Sequence, residues 1–451
     1  MTQAAQRVGQ GGTQQELLHP TPLIRNPEDA KASGIGFAQA PRGLIPNLDE
    51  FDSSRFGIST CQLAPESGVL RDSPRPPDLR NATYADRFDW DTLFYDVYRV
   101  GRHIVFQAPP FYNLEQPLRD AALFRNRFGP IMARSRFIAR NRGNEIWLRD
   151  AADEIELNCA LGRFEIAVQP NLSDIFAGRR VIITQSKNND LRWIVDWARY
   201  YQRIHGADAV LLYDNGSTAY HAADIEAALT QALPNMVVRI VDWPFRYGPQ
   251  GGEAGAVGGQ PTAWDSDYCQ TGSLQHARFR FLLKARSVLN VDIDELVASA
   301  SGESIFAATE RSRHGFIKFE GHWISTTAHP SVTRENCRHG DFTLREADTE
   351  LCPPKWCIAP RQRTSFPRQR KIVPQPRHFT QQSWSVHNLF GARYNRQLSA
   401  QFRFRHLKGI SNSWKEARWE SPTASAIPLV EDTALREALA QAGLYLPPLP
   451  L

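Results

Sequence analysis

Between Arg180 and Val297 the chain alternates short apolar runs with amphipathic stretches, and this alternation restricts the fold more than any other feature. VIITQS (181–186), AVLLYD (209–214) and MVVRIVD (236–242) are rich in aliphatic residues and end in polar ones, as buried parallel strands do, and SVLNVDIDELV (287–297) reads as a fourth strand with its exit loop. LRWIVDWARYYQRIHG puts Leu191, Ile194, Val195, Ala198, Tyr201 and Ile204 on one helical face and stops at Gly206. Trp193 and Trp197, four apart on that helix, are expected in the core. HAADIEAALTQAL and TGSLQHARFRFLLKA supply two more helices. Strands alternating with helices predict an α/β, doubly wound sheet with ligands at the carboxyl ends of its strands.

The flanks read differently. Residues 1–85 are predicted to form an extended or disordered arm, with nine prolines in the first 80 residues. Residues 86–178 hold short β-branched and aromatic runs separated by turn signals, which predict a β-rich module. The α/β domain spans 179–425, and 426–451 carries a terminal helix and tail. Charge is unevenly spread: 53 Lys and Arg nearly balance 48 Asp and Glu overall, yet residues 334–419 hold 17 against 6. No run reaches the roughly 18 apolar residues of a membrane helix. The opening MTQAAQRVGQGGTQQ also lacks an apolar leader core. A cytoplasmic protein is expected, its basic face able to touch anionic lipid at the inner side of the cell membrane. Six cysteines are too few for a disulfide framework. Cys337, His339, Cys352 and Cys357 lack the close C-x2-C pairs of a zinc site, so reduced thiols are expected.

The sharpest chemical feature is VDIDEL. Read as a strand end, it projects Asp292 and Asp294 toward one point, because residues two apart share a face. Two carboxylates that close repel unless a cation lies between them, and Mg²⁺ or Mn²⁺ suits such hard oxygen donors. An acidic strand end facing water is the plain alternative. Thr184, Lys187 and Asn188 follow the first strand; Asp214, Asn215 and Gly216 follow the second, where Asp214 can accept hydrogen bonds from a base or ribose. Arg405 and Lys415 in the basic region suit phosphate oxygens, though a solvated basic face would read the same way. No G-x-x-x-x-G-K-[ST], G-x-G-x-x-G or G-x-S-x-G is present, which disfavours P-loop, dinucleotide-fold and nucleophile-elbow chemistry.

The run TQSKNNDLRWIVDWARYYQRIHGADAVLLYDNGST, the D-x-D-E segment and FRHLKGISNSWK together resemble the family 92 (DUF23-like) glycosyltransferases and their bacterial relatives over about residues 180–420. The resemblance implies a GT-A fold, a nucleotide-diphospho-sugar transferase sheet flanked here by the N-terminal β-rich module. It implies that Asp292 and Asp294 hold Mn²⁺ or Mg²⁺ against a diphosphate, and that Thr184, Lys187, Asn188 and Asp214 touch the nucleotide. The stretch KIVPQPRHFTQQSWSVHN resembles the family's late strand and loop, which makes His387 a third metal ligand.

The reaction so implied is inverting transfer of a sugar from a nucleotide donor, UDP-sugar foremost, to a glycan or lipid-linked acceptor in bacterial surface-polysaccharide assembly. Such transfer needs a carboxylate base for the acceptor hydroxyl, and Glu320 in IKFEGHW is the first choice, Asp267 the second. Trp323 and Trp414 offer faces for a sugar ring or for core packing. Two other classes compete. A sugar-phosphate nucleotidyltransferase would need a glycine-rich loop after the first strand, and TQSKNND has no glycine. A non-enzymatic carbohydrate- or nucleic-acid-binding protein leaves the paired aspartates without a purpose, and no nucleic-acid partner is expected.

Overall fold

In the computed structural model, which describes residues 57–120, 124–126, 129–130, 135–140, 142–249, 256–257, 260–261, 265–348, 350–360, 383–390, 397–411 and 428–445, the β-rich run forms two small antiparallel sheets. One pairs β1 (Asp96–Val100), β2 (His103–Ala108), β3 (Ser135–Arg140) and β4 (Gly143–Leu148) in the order β1-β2-β4-β3. The other is built on the hairpin of Glu154–Cys159 with Gly162–Ala167. Part of the expected arm is tied in. Cys61 and Gln62 pair with Phe94 and Thr92. Arg71 is buried against Asp89, and Arg75 grips Asp265 at 2.8 and 2.7 Å. Residues 1–56 lie outside the described residues.

The eight-stranded main sheet follows from the alternation. β5 (Arg180–Ser186), α1 (Leu191–Tyr200), β6 (Ala209–Asp214), α2 (Ala222–Ala232) and β7 (Val237–Asp242) form the parallel half, completed by α3 (Tyr268–Arg280) and β8 (Ser287–Asn290). Then β9 (Glu295–Ser299), α4 (Ile305–Arg311), β10 (Phe316–Ile324), β11 (Leu351–Ile358) and β12 (Phe402–Leu407) extend it, in the order β7-β6-β5-β8-β11-β10-β12-β9. β11 is antiparallel to both β8 and β10, and β9 is antiparallel to β12, so the sheet is mixed. Buried apolar side chains cover both faces, with Trp193 and Trp197 in the layer under α1 as expected.

One expectation fails here. SVLNVDIDELV does not carry its aspartates on one strand: β8 ends at Asn290, and β9, which begins at Glu295, pairs with β12 at the other end of the strand order. Asp292 and Asp294 sit in the intervening turn, where Glu295 N–H donates to Asp292 O at 3.1 Å. The period-two rule therefore does not apply to them, and each finds its own partner.

The edge strand β9 is shielded by side chains. The hydroxyls of Tyr200 and Tyr201 donate to Val297 O and Glu295 O at 2.7 and 2.8 Å, and His205 Nε2 lies 2.8 Å from Val297 O. Such capping satisfies carbonyls that would otherwise invite a foreign strand. Gly206, at φ +69°, then turns the chain out of the helix, in a conformation that suits glycine.

The β-rich part is locked to the main sheet through α3. Buried Asp96 accepts from His276 Nε2 and Arg280 Nη1, both at 2.8 Å, and Tyr213 OH lies 2.8 Å from His276 Nδ1. Gly272 permits the approach: a Cβ there would fall 2.6 Å from the Tyr95 ring. The closing helix, α5 (Thr433–Gln441), is N-capped by Asp432, which accepts from Leu435 N–H at 2.9 Å.

Candidate functional site

At the end of β8 several polar side chains gather along the carboxyl rim. Asp267, at the N-cap of α3 with φ +60°, accepts from Arg142 Nη1 at 2.6 Å. Tyr247 OH donates to Gln270 Oε1 at 2.8 Å, and Gln270 Nε2 faces Asp292 Oδ1 at 3.5 Å. Asp292 Oδ2 accepts from Lys355 Nζ at 2.6 Å, and the same ammonium lies 3.1 Å from Glu295 Oε2. Lys355 and Glu295 are 1% and 3% exposed, whereas Asp292 is 32% exposed. Asp292 N–H also donates to Glu295 Oε2 at 2.9 Å. Beyond it, Asp294 Oδ2 accepts from His406 Nε2 at 2.9 Å, and the His406 ring stacks on Trp323 with centroids 4.1 Å apart. His339 Nε2 bonds Ile293 O at 2.8 Å from within the core, pinning the middle of the turn.

The electrostatics follow from burial and proximity. Burial pushes the Glu295 carboxyl up to about 7, with Asp292 adding to the rise and the Lys355 ammonium opposing it. Burial alone would lower Lys355, but the two carboxylates outweigh it and hold the ammonium charged. His387 is pushed down to about 4, first by burial and then by Lys355, with Asp292 opposing. Its Nδ1 meets Pro354 O at 3.1 Å. A carbonyl only accepts, so Nδ1 carries the proton and the neutral ring keeps a lone pair on Nε2.

That arrangement bears on the implied cation. Among the described residues no three His, Cys, Asp or Glu side chains form a ready cage. Asp292 and His387 lie within electrostatic reach of each other, and the Nδ1-to-carbonyl bond is the usual support of a ligating histidine. Mg²⁺ and Mn²⁺ commonly take one or two protein ligands and complete their shell with phosphate and water. The Asp292 carboxylate and the His387 imidazole are donor types that suit such an ion. Asp294 is turned onto His406 instead.

Several expected nucleotide contacts have structural work. Asn215 is buried, its Nδ2 donating to Trp243 O and Phe245 O at 2.8 Å each. Asn188, at φ +53°, accepts from Thr218 and Ala219 N–H and so stitches two rim loops together. Burial raises the Asp214 carboxyl, which accepts from Ser217 Oγ at 2.5 Å. Thr184 is buried, while Lys187 is exposed and within electrostatic reach of Asp214. A hollow of about 430 Å³ opens between these loops, lined by Asn188, Asn189, Asp190, Tyr220 and Arg334 among others.

Arg405 is not at the rim. It is bound bidentately to Asp432 at 3.0 and 3.1 Å, beneath the cap of α5. Glu320 lies on β10, half-buried, within electrostatic reach of Lys318, whose Nζ donates to Asn388 Oδ1. Lys415, Trp414 and most of 371–388 lie outside the described residues. Cys337 Sγ faces Arg334 O and Gly409 O, and all six thiols are free. Lys355, Arg142, Gln270, Tyr247 and His339 were not foreseen. A lysine heading the apolar run WCIA was the available signal, since a charge there must find a buried partner.

No family model and no curated protein matches the sequence, so the resemblance to family 92 has no such support. Among solved structures the chain is similar to the mannosyltransferase Ktr4p from S. cerevisiae (9% identity, TM-score 0.23, 33% of this chain and 41% of that one). It is similar also to the bifunctional glycosyltransferase WbbM (11%, 0.22, 35% and 27%). A third is the galactosyltransferase LgtC, solved with donor and acceptor sugar analogs (14%, 0.22, 40% and 57%). This chain thus spans less than two thirds of the length of each. Among the described residues no helix is long and apolar enough to cross a membrane.

Proposed function

We propose that this chain is a glycosyltransferase that moves a sugar from a nucleotide-diphosphate donor to a glycan or lipid-linked acceptor, with Mn²⁺ or Mg²⁺ at Asp292 and His387. The observation that carries the reading is the half-open Asp292 carboxylate beside a neutral His387, at the carboxyl end of a parallel strand. When bound, the cation supplies charge stabilisation to the departing diphosphate. The chain's own part is positional. Gln270 and Lys355 orient Asp292, His339 anchors the turn, and the hollow at the ends of β5 and β6 gives the nucleoside room. Asp267 is the better-placed base for the acceptor hydroxyl. Arg142 holds its Oδ2, and it stands at the N-cap of α3, the helix whose Gln270 faces Asp292. A role in bacterial surface-polysaccharide assembly, with UDP-sugars as donors, completes the reading.

The test is a donor-hydrolysis screen across nucleotide sugars with and without Mn²⁺, run on the wild type and on Asp292→Asn. Metal-stimulated hydrolysis of one donor, reduced at least ~100-fold in Asp292→Asn with the far-UV spectrum unchanged, is expected. Hydrolysis of none, or full activity in the variant, overturns the reading.

A further inference from the structure

Lys355 is an unusual neighbour for a carboxylate that is to meet a divalent ion. It lies within β11, almost wholly buried, and bonds Asp292 Oδ2 and Glu295 Oε2 at once. The Asp292 backbone N–H closes onto the same Glu295 oxygen. The turn is thus braced by an ammonium, a carboxylate and a backbone amide, and its shape needs no metal. The other Asp292 oxygen, Oδ1, meets Gln270 Nε2 at a long 3.5 Å, and the side chain is 32% exposed.

We propose that Lys355 is a resident counter-cation that holds the Asp292 turn in shape and keeps the centre from binding a divalent ion strongly until a nucleoside diphosphate brings the missing oxygens. This rests on the nucleotide-donor reading above. The physical reason is Coulombic. An ion on Oδ1 lies within ~5 Å of the ammonium, and at an effective dielectric near ~20 their repulsion weakens binding by tenfold or more. Two protein donors leave most of the ion's shell unfilled. The diphosphate supplies both the charge and the ligands, so ion and nucleotide bind as a coupled pair, each raising the other's affinity by the same factor.

The experiment is a Mn²⁺ titration of the full 451-residue chain followed by electron paramagnetic resonance, with and without UDP, GDP or CDP. In the wild type one diphosphate is expected to tighten Mn²⁺ binding at least tenfold. With Mn²⁺ alone, Lys355→Met is expected to bind at least tenfold more tightly than the wild type, and Lys355→Arg as weakly as the wild type. Equal Mn²⁺ affinity in Lys355→Met and wild type, both folded by near-UV circular dichroism, overturns the proposal. If Lys355→Met does not fold, Glu295→Gln decides. The ammonium then faces Asp292 alone, and Mn²⁺ binding should weaken at least tenfold further; an unchanged affinity refutes the idea. Should no diphosphate tighten Mn²⁺ binding and no sugar nucleotide be hydrolysed, the glycosyltransferase reading fails and the coupling with it. The Lys355→Met result with Mn²⁺ alone separately upholds or overturns the counter-cation role.

Discussion

Arg405 separates two accounts of the basic C-terminal region. Its charge and position in the sequence suggest a diphosphate contact, whereas the structure gives it to Asp432. That carboxylate accepts from Arg405 Nε and Nη2, from His322 Nε2 at 2.7 Å and from Leu435 N–H, with Arg345 Nε 3.9 Å away. All three central side chains are at most 10% exposed. Burial alone would raise the Asp432 carboxyl, but the His322 bond and the Arg405 charge hold it well below the usual carboxylate range. Asp432→Asn keeps the helix cap, because asparagine caps as well as aspartate, but leaves Arg405 buried beside a neutral partner. Breaking a buried pair in this way costs about 3–5 kcal/mol. Arg405→Met strips the other side and should cost about 2–4 kcal/mol, less because His322 and Arg345 remain. The double variant should lose less than the sum by at least about 2 kcal/mol. Urea unfolding followed by circular dichroism measures all four proteins. A depressed carboxylate stabilises fully above its unfolded value and loses that contribution as pH falls through the folded one. Asp432→Asn should therefore flatten the stability profile below about pH 4. An Arg405→Met protein that unfolds at the wild-type midpoint yet binds nucleotide tenfold more weakly would refute this account.

Two further outcomes test other parts of the fold. His205 is buried and pushed down to about 4 by that burial, with its bond to Val297 O opposing, so it is neutral when folded and gains a proton on unfolding near pH 5. Stability should be level above about pH 6.5 and fall by about 3 kcal/mol toward pH 4 from this group alone, and His205→Gln should reduce that slope in urea titrations. Asn215→Ala leaves the carbonyls of Trp243 and Phe245 without their buried donor and should cost about 2–4 kcal/mol in the same assay. Nucleotide affinity measured by calorimetry should not move; a loss of affinity at unchanged stability would return Asn215 to the binding surface.

The parallel half of the main sheet was legible because each element there buries its own face. The apolar runs at 181–186, 209–214 and 236–242 are long enough to cross a core and appear as β5, β6 and β7. The helix after β5 was legible down to its glycine stop. The short β-rich runs before residue 170 also became strands, since alternating β-branched and aromatic residues have few other uses. The acidic motif was legible as residue types but not as geometry. Its placement depends on where the chain goes next, and β9 pairs with β12 instead of continuing β8. No local pattern encodes that pairing.

Charge pairing was the least legible property. By itself the sequence determined the α/β class, the helix faces, the strand ends on which loops gather and the presence of acids near one of them. These are set by periodicity, which is local. Only the tertiary structure decided that Lys355 sits on Asp292, that His406 takes Asp294, that Arg405 serves a helix cap and that Asn188 and Asn215 fasten loops. The physical reason is that a buried ion or amide must be satisfied by whatever the fold brings within about 3 Å, and those partners lie 27 to 112 residues away.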